Sequence, residues 1–157
     1  MAEAPVIPVV FYKDPLAALK WLEKAFGFET TTLLVDPEGR VGHAQMEYRG
    51  SPIGVGGEWS GPQIGGAEMK SPASLGGAGT QFIRLSMETG LDDHCARARA
   101  AGARITQEPH DEFYGARTYR AADPEGHIWN FAMEVREVSL EEMQKVMPLR
   151  EAKLEEL

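Results

Sequence analysis

The chain has 157 residues, 43% hydrophobic and 25% charged, a size and balance that suit one globular domain or two small halves sharing a core. Sixteen Lys and Arg against 24 Asp and Glu give a formal net charge of −8, which argues against a nucleic-acid ligand, whose phosphates need clustered basic side chains. No signal peptide or membrane-length apolar run follows the opening Ala2-Glu3-Ala4-Pro5, and the single cysteine, Cys95, cannot form an internal disulfide; a cytoplasmic protein is expected.

Val6 to Tyr12 is a short run with β-branched and aromatic residues and reads as a strand. Asp14 then stands as an N-cap with Pro15 at the first helical position. Leu16, Leu19, Leu22 and Phe26 recur at helical spacing, and Gly27 ends the helix. Strands follow at about Glu29–Val35 and Arg40–Tyr48, joined by the turn Asp36-Pro37-Glu38-Gly39, and another runs from about Pro52 to Gly57. Residues 60–79 change character. From Ser60-Gly61-Pro62 to Gly76-Gly77-Ala78-Gly79 the stretch is rich in Gly, Pro and Ser, and a mobile linker is expected there.

The same order of elements then returns. Gln81–Met87 alternates polar and apolar, Leu91–Ala101 is a helix closed by Gly102, and strands follow near Arg104–Gln107, Arg117–Ala122 and Ile128–Val135. Gly27 and Gly102 are 75 positions apart, so each half reads strand, helix, three strands. A second Asp-Pro-Glu-Gly turn at 123–126 does not match the first in the repeat and is read as turn chemistry alone. Ser139-x-x-Glu142 is a capping box that starts a final helix to about Leu157, with Pro148 as a possible break. The expected fold class is α+β: two tandem βαβββ modules, at 1–59 and 80–138, joined by the segment 60–79 and followed by a helical tail at 139–157.

Four stretches carry a family resemblance. They are Ala17-Ala18-Leu19-Lys20-Trp21-Leu22-Glu23-Lys24-Ala25-Phe26-Gly27-Phe28 with Gly42-His43-Ala44-Gln45, then Phe113-Tyr114-Gly115-Ala116-Arg117, then Asp123-Pro124-Glu125-Gly126-His127-Ile128-Trp129. On these, over about residues 5–138, the chain resembles the vicinal oxygen chelate (glyoxalase/bleomycin-resistance/dioxygenase) superfamily, and within it the PhnB-like branch. The resemblance implies eight strands in two curved sheets around a cavity, with helices outside. It also implies a divalent metal held by four His or Glu side chains on the first and fourth strands of each module. Those positions fall at Ile7, Gly54, Phe82 and Asn130. Ile, Gly and Phe offer a metal no side-chain donor and Asn a weak one, so neither a metal nor another cofactor is expected.

Strand alternation assigns the lining of the cavity. Phe11 lies on the inner face with Ile7 and Val9. His43, Gln45 and Glu47 share one face of their strand, while Ala44, Met46 and Tyr48 suit the helix-covered side. Phe82, Arg84 and Ser86 face in, opposite Ile83, Leu85 and Met87. Carrying the spacing from His43 to Gly54 over to Asn130 adds Tyr119, with Arg117 on the same face. Trp59 and Tyr114, near loops, are placed to close over a ligand by stacking. Two arginines among aromatic walls suit a small polar-aromatic or anionic molecule, because a guanidinium forks onto carboxylate or phosphate. Three readings stay open. One is a metal-free binding protein. Another is a metal-free enzyme with His43 or Glu47 as general base and Arg84 as anion stabiliser. The last is a lyase or dioxygenase with unusual ligands such as His43, Glu47 and His127. Against all three stands a structural alternative, in which Arg84, Glu47 and Arg117 form a buried ion network. Open sheet edges, and Leu140, Met143, Val146 and Met147 of the tail, lead us to expect a homodimer without nucleic-acid or membrane partners.

Overall fold

The computed structural model describes residues 4–157, so the first three residues read for a leader lie outside it. Strand β1 is Val9–Tyr12; Pro8 before it lacks an N–H and contributes only its carbonyl, which accepts from Gly54 N–H at 2.8 Å. Helix α1 (Pro15–Phe26) begins where Asp14 Oδ1 accepts Ala17 N–H at 3.0 Å, and ends at Gly27, whose φ of +76° only glycine adopts without strain. Strands β2 (Glu29–Val35), β3 (Val41–Tyr48) and β4 (Ser51–Gly57) complete the first module. Its sheet runs β1-β4-β3-β2, with β1 parallel to β4 and the other pairs antiparallel.

Residues 60–79 are not the structureless linker expected from their composition. Strand β5 (Trp59–Ser60) pairs with β6 (Glu68–Met69), and single 3₁₀ turns form at Pro62–Ile64 and Pro72–Ser74. Ser71 is fully buried, and its N–H donates to Glu58 Oε1 at 2.9 Å. The hydrogen bonds from Ser74 and the Ser71 amide hold the Glu58 carboxyl below the usual carboxylate range. One carboxylate at the end of the first module thus fastens the excursion back onto the fold.

The second module repeats the first: β7 (Phe82–Met87), α2 (Leu91–Ala100), β8 (Arg104–Asp111), β9 (Ala116–Ala122) and β10 (Ile128–Glu134), in the sheet order β7-β10-β9-β8. The chain is therefore a mixed α+β fold of two tandem modules with two four-stranded sheets. The tail departs from expectation. Ser139 does cap a helix, its Oγ accepting Glu142 N–H at 3.1 Å, but α3 is only Leu140–Gln144. Pro148 has no N–H to extend a ladder, and a separate 3₁₀ turn follows at Leu154–Glu156.

The two modules share one core. Val10, Leu22, Phe26, Phe28 and Tyr48 of the first pack in the same cluster as Cys95, Tyr119, Trp129 and Phe131 of the second. Phe26 is the centre, its ring 4.8 Å from that of Phe131 and 5.7 Å from that of Trp129. The helices are tied directly: Trp21 Nε1 donates to Ala101 O at 2.8 Å, and Arg97 donates to Lys24 O and Glu23 O, both at 2.9 Å. The helix-bearing faces of both sheets look into this core. The two opposite faces, which the sequence assigns to the cavity, consequently point away from it.

His94 on α2 lies half-buried at the join. Phe26 O can only accept, so His94 Nε2 donates to it at 2.9 Å, and Nδ1 accepts from the Tyr119 hydroxyl at 2.6 Å. Burial, with a smaller contribution from Arg97, holds its pKa below the ordinary value against the opposing bond to Phe26. The unfolded chain therefore protonates His94 first as pH falls. Stability present above about pH 6.5 is lost on acidification until the folded imidazole also protonates. Urea midpoints between about pH 8 and pH 5.5 should fall in the parent and fall less steeply in His94→Gln; parallel slopes would contradict the assignment.

Candidate functional site

On the first module, register places Val9, Gly54, Gln45 and Thr32 in one row across all four strands. Val9 leans over Gly54, where an added Cβ would come within 2.9 Å of its Cγ2, and Phe11 covers Gly56 in the same way at 3.1 Å. Glu47 sits between Glu29 and Pro52 in register, and His43 lies exposed opposite Leu34. Leu34 is 60% exposed and Val9 43%. This face is apolar at its centre, acidic at one end and open to solvent in a single chain.

The face of the second module has different chemistry. Asn130 is paired in register with Arg84 on one side and Arg120 on the other, and Arg120 is paired with Gln107. These four form a polar row from edge to edge. Asn130 Oδ1 accepts Arg120 Nε–H at 3.2 Å, and the Arg120 guanidinium lies 5.5 Å above the ring of Phe82, which is 59% exposed. The next row is Ser86, Ala132, Thr118 and His110, mostly small side chains. Beside it a hollow of about 1290 Å³ opens, lined by Arg84, Ser86, Tyr114, Ala132 and Glu134 among others. At the far edge His110 Nε2 lies 3.0 Å from Glu112 Oε1, the same oxygen that accepts the Thr118 hydroxyl at 2.9 Å. His110 Nδ1 donates to Glu108 O at 3.0 Å, and its Nε2 also lies 3.2 Å from Gln107 Nε2. Gln107 Oε1 is buried here with no partner.

Several expected lining residues lie elsewhere. Tyr119 pairs with Phe131 in register and is fully buried in the core, where desolvation pushes its hydroxyl pKa upward. Arg117, on the same side, pairs with Asp92 at 3.0 Å and Asp111 at 2.9 Å. The reason is hairpin length. Gln45 and its partner Gly54 are nine positions apart, whereas Arg120 and Asn130 are ten apart. The longer turn of the second module shifts the count by one, which moves every side chain of β9 to the other face. Thr118 therefore takes the place assigned to Tyr119, and Arg120 stands opposite Asn130 as Gln45 stands opposite Gly54. The alternation within β9 itself, and the apolar partner Phe131, carried the signal. His127 is on neither face: its Nε2 donates to Phe11 O at 2.7 Å and its Nδ1 accepts Gln81 N–H at 3.4 Å. Trp59 stands in β5 opposite Met69, whereas Tyr114, edge-on to Phe113 with ring centroids 5.5 Å apart, does line the hollow beside Arg84. No ion network joins Arg84, Glu47 and Arg117. Arg84 has no carboxylate within ion-pair reach among the described residues.

A sequence model of the Glyoxalase/Bleomycin resistance protein/Dioxygenase superfamily matches residues 6–131, and the chain belongs to that superfamily. It is 31% identical over 145 residues to an uncharacterized protein of Mycobacterium tuberculosis strain H37Rv, covering 92% of this chain and 83% of the relative. The crystal structure of TioX from Micromonospora sp. ML1 is 27% identical, with a TM-score of 0.68 over 85% of this chain and all of that one. The fosfomycin resistance protein FosX from Listeria monocytogenes, described with Mn(II) and sulfate ion, shares the fold at 15% identity, TM-score 0.59, over 93% of this chain and 98% of its own. The metal that this fold implies does not suit the residues here. Gly54 offers no side chain and lies under Val9, Phe82 lies under a guanidinium, and the Asn130 oxygen accepts from Arg120. Among the described residues no three His, Cys, Asp or Glu side chains are grouped to hold an ion. No helix among them is long and apolar enough to cross a membrane.

Proposed function

We propose that this protein binds a small anionic or polar-aromatic molecule on the inner face of its second module, without a metal, as a cytoplasmic two-fold homodimer of the PhnB-like branch. One observation carries the reading: Arg84 stands exposed beside Asn130 and near Phe82, without a carboxylate partner among the described residues, in a chain of net charge −8. A guanidinium so placed replaces the metal as the holder of a ligand's oxygen atoms. The dimer follows from the open faces. A second copy laying its first-module face over Arg84 and Phe82 would receive the same cover in return, since a two-fold contact is reciprocal. The exposed Leu140, Val146 and Met147 of the tail add apolar area to such a contact.

Metal-free turnover is the competing reading. His43 and Glu47 lie on the other module's face, apart from Arg84, so they supply it with no base within one chain. Native mass spectrometry of the purified protein tests the binding reading as a whole. The expected result is twice the 17.2 kDa chain mass, with a small organic adduct and no transition metal. One zinc, nickel, manganese or iron per chain would overturn the metal-free reading, and a monomer mass at micromolar concentration would overturn the dimer.

A further inference from the structure

Among the described residues, six of the ten arginines form ion pairs with carboxylates, and Arg97 is engaged by the Glu23 and Lys24 carbonyls. The remaining three are Arg84, Arg104 and Arg120. Register puts all three on one surface. Asn130 is opposite both Arg84 and Arg120, and Ala122, two residues from Arg120, is opposite Arg104. Strands lie about 4.8 Å apart, so the backbones of Arg84 and Arg120 are separated by roughly 10 Å with Asn130 between them. Arg120 reaches back across that gap. Its Nε is bound by Asn130 and its guanidinium lies over Phe82, on the strand that carries Arg84, while no acceptor among the described residues meets its terminal nitrogens.

In an acidic protein, three guanidiniums on one face with no carboxylate among them are an unneutralised positive field. The nearest acids of that face do not cancel it. Glu112 is already bound by His110 and Thr118; of the acids lining the neighbouring hollow, Glu88 meets Arg49 at 3.8 Å, Glu142 meets Arg136 at 3.1 Å, and Glu134 and Glu137 lie beyond the row of Ser86, Ala132 and Thr118. That row leaves room above the sheet, and Phe82 offers an exposed ring. A single carboxylate occupies one guanidinium fork and would leave the others uncompensated. We infer that the natural ligand carries two negative charges, as a phosphate or phosphonate group or as a pair of carboxylates, attached to a planar group that rests on Phe82. This deepens the binding function proposed above and rests on it: Arg84 orients the ligand, and Arg104 and Arg120 select its charge.

Calorimetric titration of the intact protein at about pH 8, where a phosphate monoester is dianionic, uses three probes with the same ring: phenyl phosphate, benzoate and neutral benzamide. Phenyl phosphate should bind at least about tenfold more tightly than benzoate, and benzamide more weakly than either. Arg104→Gln and Arg120→Gln should each erase most of that preference. Equal affinity for phenyl phosphate and benzoate would overturn the inference while leaving the single-anion site of Arg84 standing. Absence of phenyl phosphate binding at about 10 mM would overturn both. The arginines could instead serve Glu29 and Glu47 of a second copy. In that case the two variants would weaken the dimer in sedimentation and leave the phosphate preference intact, which would also overturn it.

Discussion

An Asp123→Ala variant is expected to lose about 3–5 kcal/mol of unfolding free energy, a large part of what a domain of this size possesses. Asp123 is 5% exposed and accepts four hydrogen bonds. Its Oδ2 takes the Tyr12 hydroxyl at 2.7 Å and Trp129 Nε1–H at 3.0 Å; its Oδ1 takes the amides of Glu125 at 3.0 Å and His127 at 3.1 Å. Alanine leaves all four donors without that acceptor, and Tyr12 and Trp129 are too deeply buried for water to serve them. Tyr12 belongs to the first module, so the loss falls on the join. The same turn is held from its other side, because Glu125 accepts the amides of Lys13 at 2.6 Å and Asp14 at 3.1 Å. Tyr12→Phe removes one bond and should lose only about 1 kcal/mol. A pH signature accompanies the stability change. Burial first, then the Asp123 charge, raises the Tyr12 pKa well above its ordinary value. The contribution is complete below about pH 10 and is lost as pH rises further, an alkaline loss that Tyr12→Phe removes. Denaturant unfolding that puts Asp123→Ala within about 1 kcal/mol of the parent would refute the assignment of this turn as the clasp between modules.

The role of that turn also marks a limit of the sequence. Asp123-Pro124-Glu125-Gly126 is legible as a turn, since each residue type suits its position, but nothing local says that its carboxylates reach Tyr12 and Lys13 more than a hundred residues away. The same holds for Glu58 and Ser71, whose bond gives the segment 60–79 its fixed place and leaves no periodic trace. What was legible rests on periodicity and capping. The Asp14 cap, the left-handed Gly27 and the alternation of Phe82 and Arg84 against Ile83 and Leu85 are all found as read. The inner face of the second module was half legible. Phe82 and Arg84 were placed by their own strand and Asn130 by the family resemblance, whereas Arg120 was missed because β9 was counted from the shorter hairpin of the first module. A single residue of turn length decided that difference.

Arg84→Met is expected to weaken binding of phenyl phosphate by about 1.5–3 kcal/mol, roughly ten- to hundredfold, with folding little changed. Methionine keeps most of the aliphatic stem and removes the fork, so packing against the strand survives while the charge-assisted bonds do not. Folding should tolerate the change because Arg84 is exposed and has no ion pair to break among the described residues. The structural alternative makes the opposite forecast. If Arg84 neutralises Glu47 of a second copy, its removal strands a carboxylate within the contact, and stability should fall by several kcal/mol while ligand affinity holds. Calorimetric titrations beside denaturant unfolding of the one variant separate the two results. An unchanged affinity would refute Arg84 as the ligand's anchor. A loss of affinity at constant stability would show that the guanidinium is held for a ligand rather than for the fold.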